Sequence, residues 1–365
     1  MQPKSSIVHL PVYQPGKSIE QVKRELGLER IIKLASNENP FGCSDKAKQA
    51  IQQEIENASL YPDGAAVALT EAVAKYLDVQ PNQVIFGAGS DEIILMICRA
   101  FLVPGDEHIV ADQTFPQYKH NADIEGAVTV EIPLLDGTHD LEAMLAAVNE
   151  RTKIVWICNP NNPTGTIISQ AELERFMERV PAHVLVVLDE AYCEYVMDDS
   201  FPDSMKLISQ YKNVISLRTF SKIYGLASLR IGYGIGHADV IHLINQVREP
   251  FNTTRFAQAA ALAAVEDQAF IADCREKNAA GIKYIEQQFE RLQLKSFPAH
   301  GNFIMVDVGR PAVDMFDALL RRGIITRAGH KKYPNHLRIT VGSQEQNEAM
   351  IQALESALEE DKVTS

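Results

Sequence analysis

The sequence predicts an α/β protein: a mainly parallel central sheet with flanking helices, followed by a smaller α+β unit. Three observations carry this prediction. Short Val/Ile/Leu runs alternate with helical patterns through the middle of the chain, as they do when helices cover a parallel sheet. Several of those runs are apolar at every position, which suits strands buried on both faces. Beyond about Glu249 the pattern changes to long helices separated by short strands.

The strands of the large unit are predicted over residues 84–86, 108–110, 128–132, 154–158, 184–188, 214–217 and 231–235. Among the helices, one over 91–101 follows a Gly-rich turn. The pair Ser169-x-x-Glu172 is a capping box opening a helix that runs to Arg179. In the second unit, helices are predicted over 255–267 and 269–292, with strands near 303–308, 324–327 and 337–341 and further helices from Val313 and Glu345. A helical stretch over 19–26 and a strand over 31–34 are too short to form a core of their own. Residues 1–43 are therefore expected to pack on the small unit (251–365), leaving 44–250 as the large one.

Composition narrows the function. A chain of 365 residues with 46% hydrophobic and 23% charged residues can bury a sizeable core. A net charge of −13 disfavours a nucleic-acid partner, because phosphate backbones are gripped by clustered Lys and Arg. Cys43, Cys98, Cys158, Cys193 and Cys274 are scattered, with no C-x-x-C pair, and read as reduced thiols in a cytoplasmic protein. No H-E-x-x-H or similar spacing calls for a metal. No secretory leader is apparent, and no apolar run approaches the roughly 18 residues a membrane span requires.

Four loops carry the chemistry, each at the end of a predicted strand, where open α/β sheets gather ligands. Gly87-Ala88-Gly89-Ser90-Asp91-Glu92 would bring backbone amides and a helix N-terminus to a phosphate. It matches neither the dinucleotide pattern, which Glu92 breaks, nor the P-loop. In Asn159-Pro160-Asn161-Asn162-Pro163-Thr164-Gly165, Pro163 holds Asn162 extended, so that its amide can point at a ligand oxygen. Asp189-Glu190-Ala191-Tyr192 ends an apolar strand with a carboxylate, which is costly to desolvate without a cationic or protonated partner. Thr219-Phe220-Ser221-Lys222, followed by Arg230, sets a lysine beside hydroxyls and facing another cation, a setting that lowers an amine pKa and favours Schiff-base chemistry. Each loop alone has an ordinary reading as a turn, a cap or a solvated charge. Together they supply phosphate donors, a carboxylate for a pyridinium nitrogen, Asn and Tyr for a phenolic oxygen and Lys for an aldehyde, which is what pyridoxal phosphate needs.

With these blocks in view, the chain resembles the fold-type I pyridoxal-phosphate aminotransferases. The resemblance covers nearly the whole length, from Leu10-Pro11-Val12-Tyr13 and Lys33-Leu34-Ala35-Ser36-Asn37-Glu38-Asn39-Pro40 to Leu337-Arg338-Ile339-Thr340-Val341-Gly342. The N-terminal blocks resemble those of the histidinol-phosphate branch. The resemblance implies that Lys222 binds the cofactor covalently and that Asp189 pairs with the ring nitrogen. It places Asn162 and Tyr192 on the phenolic oxygen and Phe115 on the ring face, with Ser90, Asp91, Thr219, Ser221 and Arg230 around the phosphate. Tyr61 would reach that phosphate from the partner subunit of a homodimer. Tyr13, Asn37, Arg327 and Arg338 would bind substrate, the arginines taking its phosphate or the carboxylates of glutamate.

The reaction the resemblance implies moves the amino group of L-histidinol phosphate to 2-oxoglutarate, giving imidazole acetol phosphate and glutamate, as in histidine biosynthesis. The stretch Ala328-Gly329-His330-Lys331-Lys332-Tyr333-Pro334 departs from the smaller segment the branch leads one to expect, and leaves substrate preference open. An aromatic-amino-acid aminotransferase and an amino-acid-phosphate decarboxylase remain alternatives on the same fold. A nicotinamide dehydrogenase is weakened by Glu92. A cofactor-sensing transcription factor would need a basic DNA-binding module, for which neither terminus has enough residues or positive charge.

Overall fold

A computed structural model describes residues 2–12 and 16–364, with side chains through Glu360. Its strands are β1 (Ile32–Lys33), β2 (Val84–Gly87), β3 (Glu107–Ala111), β4 (Val128–Ile132), β5 (Thr152–Cys158), β6 (Leu185–Asp189), β7 (Val214–Thr219), β8 (Gly232–Gly236), β9 (Lys295–Ser296), β10 (Phe303–Asp307), β11 (Ile324–Ile325) and β12 (His336–Thr340).

The all-apolar runs become the centre of a seven-stranded sheet ordered β2-β8-β7-β6-β5-β3-β4. Side chains alternate between its faces. Val186 and Leu188 of β6 join one core with Val155, Ile157 and Val214, while Leu185 and Val187 join another with Ile154, Trp156 and Ile215. Neither face is left polar, so both are covered by helices. All neighbours are parallel except β8, which is antiparallel to both β2 and β7. The connection from Thr219 to Gly232 contains only a short 3-10 turn, Ala227–Leu229, and lacks the crossover helix a parallel return would use.

This topology assembles the site. The C-terminal ends of β2, β5, β6 and β7 and the start of β8 share one sheet edge. Gly87 and Thr219 both pair with Gly232, while Asp189 pairs with Leu217 on one side and Cys158 on the other. The loops predicted to carry chemistry thus emerge side by side.

The small unit is a three-stranded antiparallel sheet, β12-β10-β9, whose core includes Ile285, Phe289, Met315, Leu319, Met350 and Leu354. β1 pairs in parallel with β11, and Val22 of the helix Ile19–Leu26 is buried with Leu320 and Ile325. The helix Arg255–Val265 lies beyond the expected boundary at residue 251, yet it packs on the large-unit helices Asp45–Glu54 and Val67–Leu77. Its buried stripe is Ala257, Ala260, Ala261 and Ala264, small side chains that let helices approach closely. The next helix, Gln268–Arg291, spans both units: Ile271 and Cys274 belong to the large core, Ile285 and Phe289 to the small one. Among the described residues, no helix is long and apolar enough to cross a membrane.

Gly225 ties the lysine turn to the N-terminal segment. It has φ +71°, and a Cβ there would stand 1.8 Å from the carbonyl oxygen of Gly42. We expect Gly225→Ala to cost about 3 kcal/mol or more in stability through overpacking and strain. A denaturant titration checks this, and an unchanged midpoint would contradict so close an approach.

Candidate active site

At the end of β2, Gly89 caps the helix Ser90–Phe101, whose first amides belong to Ser90 and Asp91. Gly232 is needed here as glycine, since a Cβ would come within 2.6 Å of the Ser90 amide. Arg230, at φ +51°, turns its guanidinium into the same corner, contacting the Ser221 hydroxyl at 3.2 Å and Asp91 at 3.4 Å. The Thr219 hydroxyl oxygen accepts the Ser221 amide at 3.0 Å, which leaves its own proton for another acceptor. Burial raises the Asp91 carboxyl above its usual range, opposed by Arg230 and Lys222. Helix amides, two hydroxyls and one guanidinium form an anion cradle.

Asp189 lies two strands from that corner and is only 4% exposed. Burial pushes its carboxyl up to about 6, opposed by hydrogen bonds from Tyr118 and the Ala191 amide. The Tyr118 hydroxyl donates to Oδ2 at 2.5 Å and the Ala191 amide to Oδ1 at 3.2 Å. Tyr118 is itself fully buried, stacked on Trp156 at 4.9 Å and edge-on to Phe115 at 5.6 Å. The half-buried Phe115 thus stands on a rigid aromatic wall next to the carboxylate.

Lys222 directs Nζ toward the carbonyl oxygen of Ser36 at 3.3 Å, and its ammonium lies 5.5 Å from the Tyr192 ring centre. Burial, and then the nearby Arg338 charge, lowers its amine pKa to about 8. The opposing cation expected from the sequence is therefore mainly Arg338, with Arg230 a weaker contributor.

A hydrogen-bond relay joins the two units behind Lys222. Thr340 of β12 accepts the Asn37 backbone amide at 3.0 Å, so its hydroxyl proton is free for Asn37 Oδ1 at 2.9 Å. That leaves Asn37 Nδ2 to donate to the Tyr192 hydroxyl at 3.0 Å. The Tyr192 oxygen is thereby an acceptor on this side, and its proton can point into the cleft. Asn302 donates to the Asn37 carbonyl at 3.0 Å, which holds Asn37 at φ +57°. Nearby, Arg338 donates to Asn162 Oδ1 at 2.6 Å, leaving the Asn162 NH₂ for a ligand.

Arg338 also donates to the Ala35 carbonyl at 2.6 Å and lies over the Phe303 ring. Arg327 is its direct cross-strand partner, with backbone bonds of 3.0 and 2.8 Å in both directions. Their side chains therefore stand on one face. Tyr61 lies apart from the cleft of its own chain, 79% exposed and stacked on Phe251 at 4.7 Å. Tyr13 falls outside the described residues.

The donor set fits a ligand with a phosphate, a basic ring nitrogen, a ring oxygen and an aldehyde. Among the described residues the buried Asp189 accepts from the Tyr118 hydroxyl and the Ala191 amide alone and retains capacity for a ring N–H, and Lys222 offers an amine of reduced basicity. A family model for aminotransferase class I and II matches residues 29–354. Histidinol-phosphate aminotransferase of Geobacillus sp. (strain WCH70) is 55% identical over 361 residues, covering 99% of both chains. The Bacillus subtilis (strain 168) histidinol-phosphate aminotransferase is 53% identical over 360 residues, covering 98% of this chain and 100% of its own. The chain belongs to the histidinol-phosphate aminotransferase family. A crystal structure of the histidinol-phosphate aminotransferase from Sinorhizobium meliloti in complex with pyridoxal-5'-phosphate superposes with a TM-score of 0.92 at 30% identity, covering 98% of each chain.

In this aminotransferase the residues missing from the sequence reading are Tyr118, Thr340 and Asn302. Tyr118 left a signal, since it follows Phe115 by three residues and so shares its side of a helix entry. Thr340 and Asn302 act across units, and spacing along the chain says nothing of that. Because the Tyr118 bond favours ionised Asp189, its loss raises the carboxyl pKa further. We expect Tyr118→Phe to move the Asp189 titration upward from about 6 by about one pH unit. Carbon NMR of labelled aspartate in the cofactor-free protein reads this directly, and an unmoved titration would contradict the assignment.

Proposed function

We propose that this aminotransferase transfers the amino group of L-histidinol phosphate to 2-oxoglutarate, with Lys222, Asp189 and Tyr192 as its catalytic residues. The observation that carries the reading is an amine and a carboxylate, both shifted by burial toward neutrality, at one sheet edge beside an anion cradle. Pyridoxal phosphate, when bound, supplies an aldehyde conjugated to a protonatable ring that accepts electron density released at the substrate Cα.

Ser90 and Asp91 amides, Thr219, Ser221 and Arg230 would hold the phosphate, and Phe115 would cover the ring face. Asp189 would keep a proton on the ring nitrogen, its charge stabilised by the Tyr118 donor. Asn162 Nδ2 and the Tyr192 hydroxyl would donate to the ring oxygen. Lys222 Nζ, with its pKa lowered to about 8, would be free base in an appreciable fraction near neutrality and would take and return the Cα proton. Arg327 and Arg338, together with Asn37 and with Tyr13 as the family resemblance implies, would bind the phosphate of one substrate and the carboxylates of glutamate or 2-oxoglutarate in turn. We read the enzyme as cytoplasmic and as a homodimer in which Tyr61 of a second copy completes the cradle. The exposure of Tyr61 with Leu60 and Phe251 supports that contact.

A steady-state assay with both substrates tests the reaction. Turnover with L-histidinol phosphate should exceed that with phenylalanine or tyrosine, and Lys222→Ala should lose both turnover and the cofactor's visible band. Brisk turnover of the aromatic amino acids alone would contradict the assignment. The dimer is tested by mixing: Lys222→Ala and Tyr61→Ala chains, refolded together, should regain activity above either parent, because one site per mixed dimer is intact. No recovery would argue against sharing across copies.

A further inference from the structure

A buried charged network stands behind Asp189, on the opposite face of the sheet. Side chains alternate along β6 and β7, so Asp189 shares the face of Val187, Ile215 and Leu217, while Ser216 and Arg218 share that of Val186, Leu188 and Val214. Glu190 extends the ladder by one residue, its amide donating to the Leu217 carbonyl at 2.8 Å, and its side chain falls on the second face. There it is 1% exposed, and one oxygen, Oε2, accepts from three donors: Ser216 Oγ at 2.7 Å, Ser204 Oγ at 2.8 Å and Arg218 Nε at 3.1 Å. Arg218 also donates to Ser204 Oγ at 3.2 Å, which closes a triangle among the end of β6, β7 and the helix Ser204–Gln210.

The turn that leaves this triangle carries two groups of the site. The Cys193 amide donates to the Glu190 carbonyl at 3.1 Å and the Ala191 amide to Asp189 Oδ1 at 3.2 Å, so Asp189, Glu190 and Tyr192 belong to one hydrogen-bonded turn. Stability alone is a poor reason for the ion pair, because burying a carboxylate and a guanidinium costs desolvation that packed apolar side chains avoid. Its position adds to that cost: the Glu190 charge stands one residue from Asp189 and, like that of Asp91, raises the Asp189 carboxyl. What a buried carboxylate with three donors does supply is one fixed place for the turn.

Resting on the reading that Asp189 and Tyr192 hold the cofactor, we propose that Glu190 is a positioning residue, gripped by Arg218, Ser204 and Ser216 so that the turn presents Asp189 to the ring nitrogen and Tyr192 to the ring oxygen. It acts from the reverse face of the sheet and touches neither cofactor nor substrate. The hydrogen bonds that Tyr118 gives Asp189 and Asn37 gives Tyr192 come from other elements, and they meet their acceptors only while the turn stays in place.

Two variants test this while conserving the net charge of the pair. Glu190→Asp keeps the carboxylate but withdraws it by one methylene, out of reach of all three donors at once. Glu190→Gln combined with Arg218→Met removes both charges together, so the field at Asp189 changes little and a neutral packed pair replaces the buried ions. In both, carbon NMR of labelled aspartate in the cofactor-free protein should find the Asp189 titration raised by about half a pH unit, because its donors are misaligned. The Kd for pyridoxal phosphate should rise about tenfold, as for one weakened charge-assisted bond, and kcat should fall with the KM for L-histidinol phosphate nearly unchanged. An unmoved Asp189 titration in either folded variant overturns the proposal, since the pair would then only stabilise the fold. Asp189→Asn protein that binds pyridoxal phosphate as tightly as wild type would instead overturn the reading of Asp189 beneath it, while the titration, read without cofactor, still decides whether Glu190 positions that carboxylate.

Discussion

The desolvation of Asp189 is the constraint on which the cleft depends. A carboxylate at 4% exposure must be held by donors, and those among the described residues are a tyrosine hydroxyl and one backbone amide. To place that hydroxyl at 2.5 Å, Tyr118 must be fixed between Trp156 and Phe115, which in turn fixes the wall on which a flat ring can lie. To place the carboxylate itself, β6 must end in register with Cys158 on β5 and Leu217 on β7. Core packing, register and chemistry thus meet at one side chain.

Most of the strands were legible because burial on both faces writes itself as an uninterrupted apolar run. The run ending at Leu188 and the one ending at Cys158 leave little choice of element, and the carboxylate or turn that follows each marks where the strand leaves the core. The capping box at Ser169 and Glu172 forms as read, with the Glu172 carboxylate accepting the Ser169 amide at 2.8 Å. Helices such as Asp45–Glu54, Leu141–Ala146 and Ser204–Gln210 leave no clear mark in the sequence. They span only two or three turns, too short for a periodic signal to stand out. The direction of β8 was also hidden, since it depends on the missing crossover helix rather than on the strand's composition.

Within the site, the sequence separates residues whose role is local from those whose role is relational. Lys222, Asp189 and Asn162 stand out because their neighbours in the chain make them odd: a lysine among hydroxyls, an acid ending an apolar strand, an amide before proline. Thr340 and Asn302 carry no such mark. Their meaning lies in Asn37, some three hundred residues from Thr340, whose left-handed backbone and side-chain orientation they fix. Through Asn37 the small unit sets the direction of the Tyr192 proton in the large one. Arg338 makes a second such link, reaching Asn162 and Ala35 and depressing the Lys222 amine. The cleft is in this sense a property of the two units together, with Gln268–Arg291 as the rigid member spanning them.

Under the proposed function, a buried, tyrosine-supported Asp189 would keep the cofactor's ring nitrogen charged. Nitrogen NMR of the enzyme loaded with ring-labelled pyridoxal phosphate tests it most directly, comparing wild type with Asp189→Asn. The account predicts a protonated-pyridine chemical shift in the wild type and a neutral-pyridine shift in the variant. The same shift in both would contradict it.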